Sequence, residues 1–233
     1  MPCRNCGFLA LRCSFYSHVN CAAVLRNPRF LRRPSELSTD PKHLTMNSDF
    51  SDSDLARAVS ALQQGGVVAY PTEAVYGLGC DPHNEIAVSN LLALKQRDIG
   101  KGLLLIAVDI AQLTPYLAPV TSAQWSNAAA SWPGAITWVF PATMAVPVWI
   151  LGNHQSVAVR VTAHPLAKQL CQRFGAPIVS TSANIHNHPP ACSAFEVNSL
   201  FPHGLAVVLS GELGGIDKPT PIRDVLTGNW IRQ

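Results

Sequence analysis

No apolar stretch in this 233-residue chain approaches the roughly 20 uncharged residues of a membrane span, so no spanning helix is expected. The apolar runs at 103–108 and 135–140 have strand length instead. The phosphate loop Gly-x-x-x-x-Gly-Lys-Ser/Thr is absent, and so is a full Gly-x-Gly-x-x-Gly, of which Gly77-Leu-Gly79 is only a fragment. A nucleotide site in this chain is therefore neither a P-loop nor a standard Rossmann crevice. There is no Gly-x-Ser-x-Gly elbow, and His164, His186 and His188 lack the context of a catalytic triad. That weighs against a Ser-dependent amidase, whose nucleophile needs a matched base. Internal repeats and low-complexity tracts are missing too.

What is present begins with a lopsided charge. Residues 1–45 hold seven Lys/Arg against two acids, while the rest holds ten against twelve. A basic leader on a mildly acidic body is not the footprint of a dedicated nucleic-acid-binding domain. Four of the seven cysteines (Cys3, Cys6, Cys13 and Cys21) fall in the leader. Cys3-x-x-Cys6 could be drawn as half of a zinc site, but the later spacing is irregular and no metal is expected. Cys80, Cys171 and Cys192 read as reduced, partly buried thiols of a cytoplasmic protein. The leader has no sustained amphipathic period and contains Pro28, Pro34 and Pro41. It reads as an unstructured or artefactual extension with Met46 as the natural start; an organelle transit peptide is the other reading.

Beyond Met46, helices and strands intermingle. Ser53 can cap a helix with Leu55, Val59 and Leu62 on one face, ended by Gly65-Gly66. A strand at 67–70 runs into Pro71. Asn84 caps a second helix whose apolar residues are Ile86, Leu91, Leu92 and Leu94. The run 103–108 suits a strand covered on both faces. A helix at 122–131 is followed by a strand at 135–140. Val157, Val159 and Val161 alternate with Ala158, Arg160 and Thr162, as in a half-buried strand. Residues 165–174 form a helix with Pro at its start and Gly175 just past its end. Short strands follow at 178–182, 206–209 and 222–226. The expectation is one α/β domain over 46–233, with a twisted mixed sheet and flanking helices.

Two polar groups stand at alternate-residue spacing beside apolar runs. Lys95-Gln-Arg97 carries two cations, and Ser180-Thr-Ser182-Ala-Asn184 carries two hydroxyls and an amide that an extended backbone would place on one side. Phosphate chemistry needs such cations and oriented donors. If the second helix continued, Lys95 and Arg97 would point about 200° apart, so they converge only if the backbone extends near Lys95. A solvated helix end is the other reading of those cations, and a capped strand end is the other reading of the hydroxyls. Lys101 adds a third cation. Arg160 needs an anion or a salt bridge. Thr72 sits at a strand end, where loops tend to carry function. Glu73 suits acid/base work, a metal ligand or a local hydrogen bond. Trp132 and Trp138 read as packing residues.

Taken in order, the segments Tyr70-Pro-Thr-Glu-Ala-Val-Tyr-Gly-Leu-Gly-Cys-Asp81, Leu94-Lys-Gln-Arg97, Lys101-Gly-Leu-Leu-Leu-Ile106, Trp132-Pro-Gly-Ala-Ile-Thr137, Val157-Ala-Val-Arg-Val-Thr162, Ser180-Thr-Ser-Ala-Asn184 and Pro221-Ile-Arg-Asp224 resemble the YrdC/TsaC family. The resemblance spans essentially all of 46–233. It implies a YrdC-like domain with a concave groove. The implied reaction converts L-threonine, bicarbonate and ATP to L-threonylcarbamoyladenylate and pyrophosphate, with Mg²⁺ carried on ATP. Transferase proteins of the t6A pathway would then modify position 37 of tRNAs reading ANN codons. By the same resemblance Lys95, Arg97, Ser182 and Asn184 are catalytic and nucleotide-binding, and Thr72 and Ser180 touch threonine. Thr137 and Arg160 are nearby substrate-binding positions, and Arg223 is a nucleotide-binding one. Asp98, where the family often has Pro, and Ile-His after Asn184, where Ser-Gly is common two residues on, depart from the pattern. A non-catalytic RNA-binding factor in ribosome or tRNA maturation is the alternative. It draws on the Lys95, Arg97 and Lys101 cluster, but the chain lacks the interleaved aromatics that stack bases.

Overall fold

The computed structural model describes residues 51–233; the leader 1–45, its cysteines and the proposed start at Met46 lie outside the described residues. Among the described residues, nine strands form one sheet: β1 (Val68–Pro71), β2 (Tyr76–Gly79), β3 (Leu104–Ala107), β4 (Thr137–Pro141), β5 (Ser156–Val161), β6 (Ile178–Ser182), β7 (Val207–Val208), β8 (Ile222–Asp224) and β9 (Trp230–Arg232). Their spatial order is β7-β1-β2-β6-β3-β5-β4-β8-β9. The pairs β1·β7, β3·β5 and β4·β8 are parallel and the other five antiparallel, so the sheet is mixed as expected. The helices are α1 (Asp52–Gln63), α2 (Glu85–Lys95), α3 (Ile110–Leu113), α4 (Ser122–Ala129), α5 (Val148–Leu151), α6 (Pro165–Phe174) and α7 (Ala194–Leu200). Among the described residues, no helix is long and apolar enough to cross a membrane.

Several boundaries follow the expected chemistry. Asn84 caps α2, its side chain accepting from the Ala87 amide at 3.0 Å. Helix α6 starts on Pro165 and ends on Gly175 in the left-handed region at φ 84°. Other expectations are corrected. The α1 cap is Ser51, not Ser53: Ser51 Oγ accepts from the Asp54 amide at 3.1 Å. Ile86 is 73% exposed, because α2 packs through Ala87, Val88, Leu91 and Leu92. Strand β5 is half-buried as expected along Ser156 and Ala158, which line a cavity, but Arg160 on the same face is buried. The short strands β2 and β9 and the helices α3, α5 and α7 are additions to the expected elements.

The alternation of the strands divides the core. On one face α1 and α6 cover Val68, Tyr70, Ile106 and Ile178. On the other, Ala69, Leu78, Leu105, Val159 and Val179 join a larger cluster with α2 and Trp138. The first face is covered only in part. Along β6, Ile178 lies under α6, while Ser180 and Ser182, two and four residues on, pass beyond it on the same side. Opposite them the register runs Ser180, Leu104, Ala158 and Val139 across β6, β3, β5 and β4. That uncovered row is the floor of a cavity.

Candidate active site

The cavity measures about 520 Å³, within the range of roughly 300–1,000 Å³ usual for small-molecule sites. Small side chains make the floor concave: Gly77, Ala158 and Ser180 all line it. A Cβ on Gly77 would sit 3.2 Å from Thr72 Cγ2 and 3.5 Å from Ser180 Oγ, narrowing the space between the two hydroxyls. Gly77-Leu-Gly79 therefore serves close strand packing and not a pyrophosphate turn. Among the described residues, Arg97, Lys101, Arg160 and Arg232 line the wall, and no Asp or Glu does.

The two cations of Lys95-Gln-Arg97 part company at a helix end. The Gln96 amide donates to Ala93 O and the Arg97 amide to Leu92 O, both at 3.0 Å, with Gln96 left-handed at φ 49°. These paired bonds are a Schellman ending. The backbone thus turns by a left-handed cap rather than by extending near Lys95. Arg97 is thrown into the cavity wall, where Nη2 donates to Gly102 O at 3.0 Å and the buried Nε has no partner among the described residues.

Lys95 takes another path, and its expected placement opposite the hydroxyl-amide shelf is corrected. Its side chain is 3% exposed and lies inside the shelf. Nζ donates to Ser182 O, to Asn184 O at 2.9 Å and to Asn184 Oδ1 at 3.1 Å, using all three protons. The Lys95 carbonyl, freed by the helix end, accepts from the His186 amide at 2.9 Å. Burial, with a smaller push from Arg97, brings the ammonium down to about 8.

Asn184 is equally committed. Its Oδ1 also accepts from Ser182 Oγ at 2.6 Å, and its Nδ2 donates to Ile185 O and His188 O, each at 2.9 Å. Ser182 spends its proton on an amide oxygen, so no imidazole activates it, contrary to what an amidase requires. Lys101 reaches across the mouth to His186, Nζ to Nε2 at 3.3 Å, joining the residue that departs from the family pattern to a wall cation.

Thr72 donates from Oγ1 to Val75 O at 2.6 Å, leaving its oxygen free to accept in the cavity. Glu73 is buried and accepts from Thr162 Oγ1 at 2.7 Å and the Ala163 amide at 3.0 Å. Its other oxygen lies 3.5 Å from Arg160 Nη2. Burial alone would push this carboxyl up; the Arg160 guanidinium and the donated bonds more than offset that and hold it below its ordinary value. Glu73 is thus the counter-ion of Arg160, whose Nη1 also donates to Thr220 Oγ1 at 2.7 Å.

Two expected positions lie elsewhere. Thr137 is buried and not part of the cavity wall, and its Oγ1 has no partner among the described residues. Arg223 lies between two indoles, 5.2 Å from the Trp138 ring centre and 5.0 Å from that of Trp230, away from the cavity wall. The arginine this hairpin does bring to the wall is Arg232, which donates from Nε and Nη2 to Thr220 O at 3.2 and 2.6 Å. Alternation at the C-terminus did not signal it, because the pairing there is irregular.

Among the described residues no cluster of three or more His, Cys, Asp or Glu could hold a metal. The Sua5/YciO/YrdC family model, described as "Telomere recombination", matches residues 60–233. A Coxiella burnetii (strain RSA 493 / Nine Mile phase I) protein named Threonylcarbamoyl-AMP synthase is 49% identical over 175 residues, 75% of this chain and 94% of its own length. A protein of the same name from Halorhodospira halophila (strain DSM 244 / SL1) is 52% identical over 177 residues, 76% of this chain and 92% of its own. The crystal structure of P. abyssi Sua5 complexed with L-threonine superposes with a TM-score of 0.69 at 32% identity, over 73% of this chain and 50% of that one. Matched across almost all its described residues, and covering such relatives nearly end to end, the chain belongs to the Sua5/YciO/YrdC family.

Proposed function

We propose that this chain is a threonylcarbamoyl-AMP synthase, which joins L-threonine, bicarbonate and ATP into L-threonylcarbamoyladenylate and releases pyrophosphate. The observation that carries this reading is a cavity walled by four Arg/Lys and no carboxylate, in a chain about half identical to proteins named for that activity. The threonine in the Sua5 complex supports threonine as the amine. The threonine nitrogen attacks the carbon of bicarbonate, water leaves, and a carbamate forms. A carbamate oxygen then bonds to the α-phosphorus, the bond to the bridging oxygen breaks, and pyrophosphate departs.

No protein nucleophile takes part. Thr72 and Ser180, on the two sides of Gly77, orient threonine, with Arg160 held by Glu73 toward its carboxylate. Arg97, Lys101 and Arg232 face the phosphates; Arg232 takes the nucleotide role expected of Arg223. Lys95 and Asn184 act from within the shelf, fixing Ser182 and the loop after it. Mg²⁺ would arrive on the ATP phosphates as part of the substrate, since the wall has no carboxylate for it. Positioning of this kind is worth about 7–11 kcal/mol when geometry is tight. The product would pass in the cytoplasm to t6A-pathway transferases acting on tRNA. An RNA-binding role without chemistry draws less support, because Tyr76 is the one Phe, Tyr or Trp in the wall among the described residues.

The test is incubation with ATP, labelled bicarbonate and threonine, without RNA. Threonine-dependent pyrophosphate and a labelled adenylate are expected. Binding of tRNA with no product from these substrates would overturn the reading.

A further inference from the structure

Arg232 reaches the cavity by an irregularity. Across β8 and β9, Ile222 pairs with Arg232 and Arg223 with Trp230, so β9 spends one residue more than β8 between the two pairs. Ile231 is that extra residue, a β-bulge. With strict alternation Trp230 and Arg232 would share a face. The bulge separates them: Trp230 goes with Arg223, and Arg232 goes with Ile222 into the cavity wall. Bulges re-aim side chains in this way beside functional sites.

What holds the bulge in place lies on the far side. Among the described residues, strand β9 is the sheet's last, paired on one flank. The Arg223 guanidinium stacks between Trp138, on β4, and Trp230, on β9, tying the edge strand to the sheet interior across β8. Its Nε donates to Gly228 O at 2.7 Å, fixing the hairpin turn as well. Trp230 remains 42% exposed, so burial alone does not anchor it. A one-residue slip of β9 would carry Arg232 out of the cavity.

We infer that Arg223, clamped between Trp138 and Trp230, is a positioning residue that sets the β9 bulge and so aims Arg232 at the nucleotide. This rests on the synthase reading for the identity of the ligand, but the clamp itself can be tested without it.

Four variants decide the matter: Arg223→Ala, Arg232→Ala, the double variant, and Trp230→Phe. Steady-state pyrophosphate release gives KM for ATP and for threonine, and hydrogen exchange reports on the β9 amides. Arg223→Ala should raise KM for ATP about tenfold, with a much smaller change for threonine, and Arg232→Ala should do the same. The double variant should be no worse than Arg232→Ala, because one residue acts through the other. Trp230→Phe, which keeps an aromatic face, should stay within about threefold of wild type. Exchange at β9 should quicken in Arg223→Ala while β3 and β6 stay protected. Multiplicative effects in the double variant, equal losses for both substrates, or unchanged β9 exchange would each overturn the inference. Wild-type protein that makes no adenylate would overturn the synthase reading, while β9 exchange would still decide the clamp.

Discussion

Lys95 is a cation with every proton engaged, and that changes what its removal does. In Lys95→Met three carbonyl oxygens lose the ammonium, but Ser182 O keeps the Asn184 amide and Asn184 Oδ1 keeps Ser182 Oγ, so Asn184 O is the acceptor left unpaired. That costs about 1–3 kcal/mol, offset in part by the ammonium no longer being desolvated. A net loss of about 1 kcal/mol in urea denaturation is expected, together with a weakened ATP site, since Ser182 and Asn184 lose their anchor. The pH dependence has a definite sign. The folded value of about 8 is below the ordinary 10.5. Between those values the unfolded chain keeps a proton that the folded one has shed, so this group's contribution to stability rises with pH there. The shelf behaves oppositely, because a neutral amine offers two protons to three acceptors. ATP affinity of the wild type should therefore fall as pH rises through about 8, while its urea midpoint relative to Lys95→Met increases. Parallel pH curves for the two proteins would refute this account.

Glu73 and Arg160 make the complementary case. Removing one charge of a buried pair strands the other, at about 3–5 kcal/mol. Glu73→Gln should show that loss at neutral pH by urea denaturation. The carboxyl is held below its ordinary 4.5 in the fold, so its contribution is present above that value and disappears as pH falls through the folded one. Wild type and Glu73→Gln should accordingly converge in stability under strongly acidic conditions. Arg160 between valines was legible in the sequence as a cation in need of an anion. Its partner, 87 positions earlier in the chain, was not, because nothing local ties Glu73 to it.

At the scale of elements, the strongest sequence signals were caps and alternation. Asn84, Pro165 and Gly175 mark helix ends through chemistry confined to a few residues. The ending of α2 was misread because Gln96 occupies a left-handed position where Gly is usual. Substituting Gln96→Gly removes the side-chain penalty there and should be neutral or stabilising by up to about 1 kcal/mol. Strand β2 carries the reverse constraint. A Cβ on Gly79 would lie 2.7 Å from Val179 O and 2.9 Å from Tyr70 Cε1, both immobile. Gly79→Ala should cost about 1–3 kcal/mol by urea denaturation and lower the yield of folded protein. Strand β9 escaped notice because a bulge breaks the period on which strand reading depends.

For the whole molecule, the site exists because one sheet face is longer than the two helices laid on it. Helices α1 and α6 cover Ile106 and Ile178 and stop, and the next residues along β3 and β6, Leu104 and Ser180, floor the cavity. The hydroxyl-amide shelf was legible as a motif, but its division of labour was not: which cation faces outward depends on a helix ending and a loop docked onto it. That division predicts how ligands act on the folded protein. A ligand that binds only the native state stabilises it by RT ln(1 + [L]/Kd), about 2.7 kcal/mol at a hundredfold excess over Kd. Both ATP and threonine should therefore raise the melting temperature of the wild type. Arg97→Ala removes a wall cation whose substitution leaves the Lys95–Asn184 network intact. It should abolish most of the ATP-induced rise and retain the threonine-induced one, with no large change in the ligand-free melting temperature. Thermal denaturation of both proteins with each ligand distinguishes this from a shared, undivided pocket, for which both rises would vanish together.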